Sequence, residues 1–115
     1  MERVGIDDIK AQIQPEDFDA ITGGEDEIAE TCLDNARERV QAVTKSYGLE
    51  YDESDAVIRL AVVKMTMCEL YSYSADWITA ENYRDEASLL LKPLAPEKAP
   101  ESASVQGSTS WKGYN

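Results

Sequence analysis

Residues 56–71 read AVIRLAVVKMTMCELY, and this stretch decides the fold. Its apolar residues cover more than one helical stripe, so we predict a central helix over residues 54–75 with neighbours on several sides. A strand over AVIRLAVV is the competing interpretation, but the run is too long and its period is not two. Because Arg59, Lys64 and Glu69 interrupt it, the stretch does not predict a membrane span.

Two amphipathic segments flank this central helix. The first covers residues 26–47, with Asp26 as the expected N-cap and Gly48 as the expected C-cap. The second begins after Thr79, its expected N-cap, and should stop near Leu91 because Pro93 follows. Asp52 or Ser54 is the expected N-cap of the central helix itself. The stripe of the first segment is Ile28, Cys32, Ala36, Val40, Val43 and Tyr47, and that of the second is Tyr83, Ala87, Leu90 and Leu94.

The first 24 residues predict shorter helical pieces. Ile6, Ile9 and Ile13 have helical spacing, which indicates a short helix over residues 6–13. Pro15 then opens PEDFDAI, which we expect to form about one turn. The TGG at residues 22–24 is a clear break. The fold class that follows is all-α, a small bundle of about four helices with an extended C-terminal tail.

The chain divides by composition into a helical domain, residues 1–94, and a segment of different character, residues 95–115. Between residues 92 and 110 the sequence is mostly Pro, Ala, Glu, Ser and Gly, which predicts a flexible linker. After it comes GSTSWKGYN. We interpret Trp111, Lys112 and Tyr114 as a docking element on a tether, with Trp111 and Tyr114 as anchors. A frayed terminus with incidental aromatics is the alternative, and it stays open.

Acidic charge is the dominant feature of the composition. The 115 residues carry 23 acidic and 11 basic side chains, for a net charge of −12. Most of the excess lies in residues 1–35, which hold 11 acidic and 2 basic residues. Such a chain should not grip nucleic acid, since phosphate binding needs Lys and Arg. A surface that keeps the protein soluble is one interpretation, and the wall of a passage through which DNA slides is another.

The residues needed for most catalytic and metal chemistry are missing. The sequence has no His, and Cys32 and Cys68 are too far apart for a zinc motif. We expect two buried thiols rather than a disulfide, which is typical of a reducing compartment. The acid clusters GGEDE and YDESD do not fit a calcium loop, and we interpret them as helix caps. We therefore expect no enzyme, no cofactor and no metal. The first residues, MERVGIDD, do not predict a signal peptide.

Three aromatic residues mark the end of the central helix, in ELYSYSADW. Tyr71, Tyr73 and Trp77 have two interpretations. The first, which we favour, is that they cap the core. The second is a subunit contact, because amphipathic aromatic residues are enriched at interfaces.

The order of these helices resembles the small helical head–tail connector (adaptor) proteins of tailed bacteriophages and prophages. The resemblance covers about residues 4–94, and the ending of the chain is similar to that of the related Mu-like connectors. The matching positions are Asp7, Lys10 and Ile13, Ala36 and Tyr47, Ala61 and Tyr71, Ala87, Leu90 and Leu91, and Trp111, Lys112, Gly113 and Tyr114. The long Pro/Ala/Glu/Ser linker departs from the family pattern.

The resemblance implies a structural virion protein assembled in the host cytoplasm. It implies a ring, commonly of twelve subunits, at the head–tail junction beneath the portal protein, with a completion or stopper protein on the tail side. DNA would pass through the ring without being bound specifically, and no membrane would be involved. The alternative is a small acidic regulatory or antitoxin-like binding module, whose tail folds on a partner.

Overall fold

A computed structural model of the protein describes residues 3–96, and these residues form helices with no strand. The elements are α1 (Ile6–Lys10), α2 (Pro15–Thr22), α3 (Asp26–Ser46), α4 (Ala56–Tyr73) and α5 (Trp77–Leu91), followed by a 3-10 turn over Lys92–Leu94. The all-α prediction is confirmed. The bundle has five helices rather than about four, because PEDFDAI and the following Thr22 form an eight-residue helix instead of a single turn.

The three long helices are antiparallel, with α4 between α3 and α5. On one side, Arg39 of α3 pairs with Glu69 of α4. On the other, the Lys64 ammonium lies 2.9 Å from the Glu86 carboxylate, and Tyr71 stacks on Tyr83 with ring centroids 5.8 Å apart. The bundle therefore has two ends. We call them the turn end, where α4 passes into α5, and the loop end, where α3 passes into α4.

The prediction that α4 is central is confirmed. Its buried residues lie on several sides of the helix, where they pack against α3, α5 and the N-terminal helices. Burial of the hydroxyl of Thr66 is compensated because it donates to the Val62 carbonyl at 2.7 Å. The buried residues of α4 are Ile58, Ala61, Val62, Val63, Met65, Thr66, Met67, Cys68 and Leu70.

Helix α1 ends three residues earlier than predicted. Gln14 precedes Pro15 and has extended backbone angles, φ −65° and ψ 139°. The proline ring disfavours helical angles at the preceding residue, so the chain must leave the helix before Gln14. Ile13 lies beyond the end of α1 but is still buried, so it extends the apolar pattern of Ile6 and Ile9 without being helical. Pro15 begins α2 as predicted, and Gly23 ends it with φ 67°.

The predicted N-caps were wrong at all three long helices. Asp26 is the first helical residue of α3, and Glu25 precedes it as the cap. For α4 the cap is Asp55, whose carboxylate accepts from the backbone N–H groups of Val57 and Ile58, whereas Asp52 accepts from Ser54. For α5 the cap is Asp76 rather than Thr79, which donates its own N–H to Asp76. More than one acidic or hydroxyl residue lies near each of these helix starts, and spacing alone did not select among them.

A buried ion pair closes the loop end. Glu53 is 5% exposed, and its carboxylate accepts from Arg37 Nε at 2.7 Å, from the Tyr51 hydroxyl and from the Val4 N–H at 2.8 Å. Arg37 also donates to the Val4 carbonyl. The N-terminal segment, α3 and the α3–α4 loop are thus joined through one carboxylate. The interpretation of YDESD as a set of helix caps holds for Asp55 and fails for Glu53.

Candidate partner-binding surface

A tight turn joins α4 to α5. Ala75 has a left-handed φ of 64°, and it lies just beyond the end of α4. Around it, the Asp76 N–H donates to the Tyr71 carbonyl at 2.9 Å and the Ala75 N–H donates to the Ser72 carbonyl at 3.0 Å. These two bonds form the helix-ending motif that usually has glycine at the left-handed position. The turn fixes where α5 begins and which side chains face outward at the turn end.

Replacing Ala75 with glycine should therefore stabilise the protein. A left-handed conformation costs an L-residue roughly 1–2 kcal/mol, so we expect Ala75→Gly to raise the free energy of unfolding by about 1 kcal/mol. Urea denaturation followed by circular dichroism measures the change. Gly48 is the matched control, because it has φ 76° after α3 and open space around its Cβ position. Gly48→Ala should lower stability by a similar amount, and a stabilising Gly48→Ala would contradict this account.

The turn end exposes three large apolar side chains. Tyr73 is 60% exposed, Trp77 is 64% exposed and Ile78 is 77% exposed. The interpretation that Tyr71, Tyr73 and Trp77 cap the core is correct only for Tyr71, which packs on the core and stacks on Tyr83. Tyr73 and Trp77 are exposed instead, and the turn at Ala75 starts α5 at Trp77, three residues earlier than an N-cap at Thr79 would. We call Tyr73, Trp77 and Ile78 the turn-end patch.

The loop end also exposes apolar side chains. Leu49 follows α3, Leu60 lies in the first turns of α4, and Leu89 lies in the last turn of α5; they are 42%, 40% and 68% exposed. We call these three residues the loop-end patch because they share this end of the bundle. Together the two patches account for the exposed large hydrophobic residues within the described part of the chain. The middle of the bundle has none, although single exposed leucines would be unremarkable anywhere on a surface.

An acidic surface covers α2 and the first half of α3. Between Lys10 and Arg37 the sequence has eight acidic residues and no basic residue, and all eight side chains are exposed. Two of the eight have a basic partner, Asp26 with Lys10 at 3.2 Å and Asp34 with Arg37 at 3.2 Å. The surface therefore repels polyanions and favours cationic groups.

A groove runs between the start of α3 and the end of α4. It has a volume of about 460 Å³ and lies beside the turn-end patch, with Tyr73 common to both. Ile28, Cys32 and Tyr73 provide its apolar surface, and Glu27 and Glu69 place one carboxylate on each wall. The lining residues are Glu27, Ile28, Thr31, Cys32, Asn35, Glu69, Ser72 and Tyr73.

The groove offers no reactive thiol. Cys32 and Cys68 are both buried and unpaired with each other, as predicted. Burial, with a smaller contribution from the Glu69 charge, raises the pKa of Cys32 to about 11. The thiol is therefore protonated at neutral pH and is a poor nucleophile. Within residues 3–96, no group of three or more Cys, Asp and Glu side chains is arranged to hold a metal ion. No helix in that range has the length and apolar character needed to cross a membrane.

Of the six residues predicted to bind a partner, the structure describes Tyr71, Tyr73 and Trp77. All three belong to the turn end, but Tyr71 faces the core and the other two face outward. Trp111, Lys112 and Tyr114 lie outside the described residues. Sequence reasoning missed Ile78 and the loop-end patch. Ile78, Leu60 and Leu89 are large apolar residues that lie outside the buried stripe of their helix. This position can be recognised only when the first residue of the helix is known.

Comparison with protein-family models, with curated proteins and with solved structures gave no match for this chain.

Proposed function

We propose that this protein is a structural subunit of a head–tail connector in a tailed bacteriophage or prophage, where it forms a ring under the portal protein. The observation that carries the proposal is the separation of the exposed apolar residues into two different patches at opposite ends of the bundle. A ring of identical subunits needs a head-to-tail contact, in which one surface of each subunit meets a different surface of the next. The turn-end patch and the loop-end patch are two such surfaces.

The acidic surface supports the second part of the proposal, that DNA passes through the ring. A passage for DNA must not bind it, and phosphate binding depends on Lys and Arg. Between Lys10 and Arg37 every charged side chain is an exposed carboxylate. In the proposed ring this surface faces the lumen, the portal lies on one side and a completion or stopper protein lies on the tail side. Twelve subunits is the number that the resemblance implies.

Two single substitutions test the head-to-tail contact. Trp77→Asp places a charge in the turn-end patch and Leu89→Asp places a charge in the loop-end patch; both residues are exposed, so both variants should keep their circular dichroism spectrum. Each variant alone should lose the ring in native mass spectrometry. An equimolar mixture should form a 1:1 dimer, because each variant supplies the patch that the other lacks.

Asn82→Asp is the control, since it adds the same charge at an exposed position of α5 between the two patches. It should leave the ring intact. The proposal fails if the wild-type chain stays monomeric both alone and with a portal protein from the same genome. It also fails if neither patch variant changes the assembly. Genes for portal, capsid and tail proteins beside this one would favour the connector, whereas a toxin gene would favour the antitoxin-like alternative.

A further inference from the structure

We infer that the groove between α3 and α4 is a binding site for the Trp111–Lys112–Gly113–Tyr114 segment of the same chain. This inference does not depend on ring assembly. It rests on the lining of the groove, on the charge of the segment and on the length of chain between the two. Trp111 would occupy the groove against Ile28, Cys32 and Tyr73, and Lys112 would pair with a carboxylate at its edge.

The groove suits an aromatic side chain. Its volume of about 460 Å³ lies in the range of sites that enclose small organic groups. Tyr73 is 60% exposed, so its ring is free to pack against a second aromatic ring. A buried indole needs an acceptor for its N–H, and the groove supplies Asn35 and Ser72 beside its apolar surface.

Charge favours the C-terminal segment over another copy of the helical body. Residues 3–96 carry 20 acidic and 9 basic residues, so two bodies repel each other at this acidic groove. Residues 102–115 contain no acidic side chain, and Lys112 is their single basic residue. The groove presents Glu27 and Glu69, and Glu69 already has Arg39 as its partner. Glu27 is therefore the carboxylate that Lys112 would meet.

The chain is long enough to reach its own groove. Because α4 and α5 are antiparallel, the described chain leaves the bundle at the loop end, and the groove lies toward the turn end. The 18 residues of α4 separate these ends by about 27 Å at a rise of 1.5 Å per residue. Residues 97–110 can extend to about 46 Å at 3.3 Å per residue, so Trp111 reaches the groove with slack.

Because the C-terminal segment is tethered to the same chain, a weak interaction is enough to keep it in the groove. A short flexible linker gives an effective concentration on the order of 1 mM, at which an intrinsic Kd of about 0.1 mM leaves the groove about nine-tenths occupied. A separate copy of the chain would need to be present at a comparable concentration to compete. The segment on the same chain is therefore the favoured occupant.

Tryptophan fluorescence of the full-length chain tests the inference. Trp77 and Trp111 are the two tryptophans, so Trp77→Phe leaves Trp111 as the single reporter. We expect its emission to lie at shorter wavelength, and its quenching by acrylamide to be several-fold weaker, than in the free peptide of residues 107–115. Adding Thr31→Arg, which places a bulky cation at the groove wall, should make Trp111 resemble the free peptide.

Gln41→Arg is the matched control. It makes the same change of charge at an exposed position of α3 outside the groove lining, and it should leave the fluorescence of Trp111 unchanged. Emission like that of the free peptide in the Trp77→Phe chain would overturn the inference. So would a buried Trp111 that does not respond to Thr31→Arg, since its site would lie elsewhere.

Dilution decides whether the contact is within one chain. The emission of Trp111 should be independent of protein concentration, and a shift that disappears on dilution would overturn the assignment to the same chain. Repeating the series in a chain that also carries Leu89→Asp separates this result from ring assembly. That variant should keep Trp111 in the groove whether or not the connector proposal holds.

Discussion

Replacing Glu53 with alanine should lower the free energy of unfolding by about 3–5 kcal/mol, the cost of removing one partner from a buried ion pair. The Arg37 side chain is 13% exposed, so its charge would remain largely out of water without its carboxylate. The Val4 N–H and the Tyr51 hydroxyl would lose the same acceptor. Chemical denaturation of the full-length chain measures the loss. Glu50→Ala is the control, since this carboxylate is exposed three residues away and its loss should change stability little.

The pH dependence of stability gives a second measurement of the same contact. Burial alone would raise the pKa of Glu53, but the hydrogen bonds from Arg37, Tyr51 and Val4 outweigh it and hold that pKa below its ordinary value. A carboxylate with a lowered pKa in the folded state stabilises the protein above its unfolded pKa, about 4.3 for Glu. This stabilisation is lost as the pH falls below that value toward the folded pKa.

We therefore expect the difference in stability between wild type and Glu53→Gln to be constant near neutral pH and to narrow below about pH 4.3. Burial and the neighbouring Glu53 charge raise the pKa of Tyr51, so its hydroxyl remains a donor across this range. A difference that stays constant down to low pH would show that folding leaves the pKa of Glu53 unchanged, and it would contradict the lowered pKa.

Leu70→Ala should lower the free energy of unfolding by about 2–5 kcal/mol, the usual range for a leucine removed from a well-packed core. Leu70 is fully buried in α4, the helix that α3 and α5 both pack against, so α4 cannot shift toward one of them to fill the cavity without moving away from the other. Leu89→Ala makes the same chemical change on α5, where the side chain is 68% exposed. It should change stability by less than about 0.5 kcal/mol. Similar losses for the two variants would contradict the central position of α4.

The sequence predicted the features that depend on local spacing. The apolar run at residues 56–71 identified α4 as central, because a helix that is apolar on several sides must be surrounded. Gly48 marked the end of α3 because glycine readily adopts the left-handed backbone angles that end a helix. Pro93 marked the end of α5 because proline has no N–H for a continuing helix. The burial of Cys32 and Cys68 followed from their place in apolar patterns.

Local spacing did not predict which side chains of the turn end face outward. Several acidic or hydroxyl residues lie near the start of each long helix, and which of them becomes the N-cap depends on the turn before the helix. At α5 the left-handed Ala75 brings Asp76 to the helix start, so Trp77 and Ile78 face outward. An alanine gives no sequence signal for such a turn, unlike the glycine that usually occupies it.

The sequence by itself therefore determined an acidic, all-helical protein organised around α4, since hydrophobic periodicity and charge are properties of the chain. Only the tertiary structure decided that Glu53 is a buried partner of Arg37 rather than one more surface acid, because two of its hydrogen-bond donors, Arg37 and Val4, lie 16 and 49 positions away in the sequence. The tertiary structure alone also separated Tyr71, which stacks in the core, from Tyr73 and Trp77, which face outward. Their directions are set by how α4 turns into α5, and no local pattern of residue types encodes that angle.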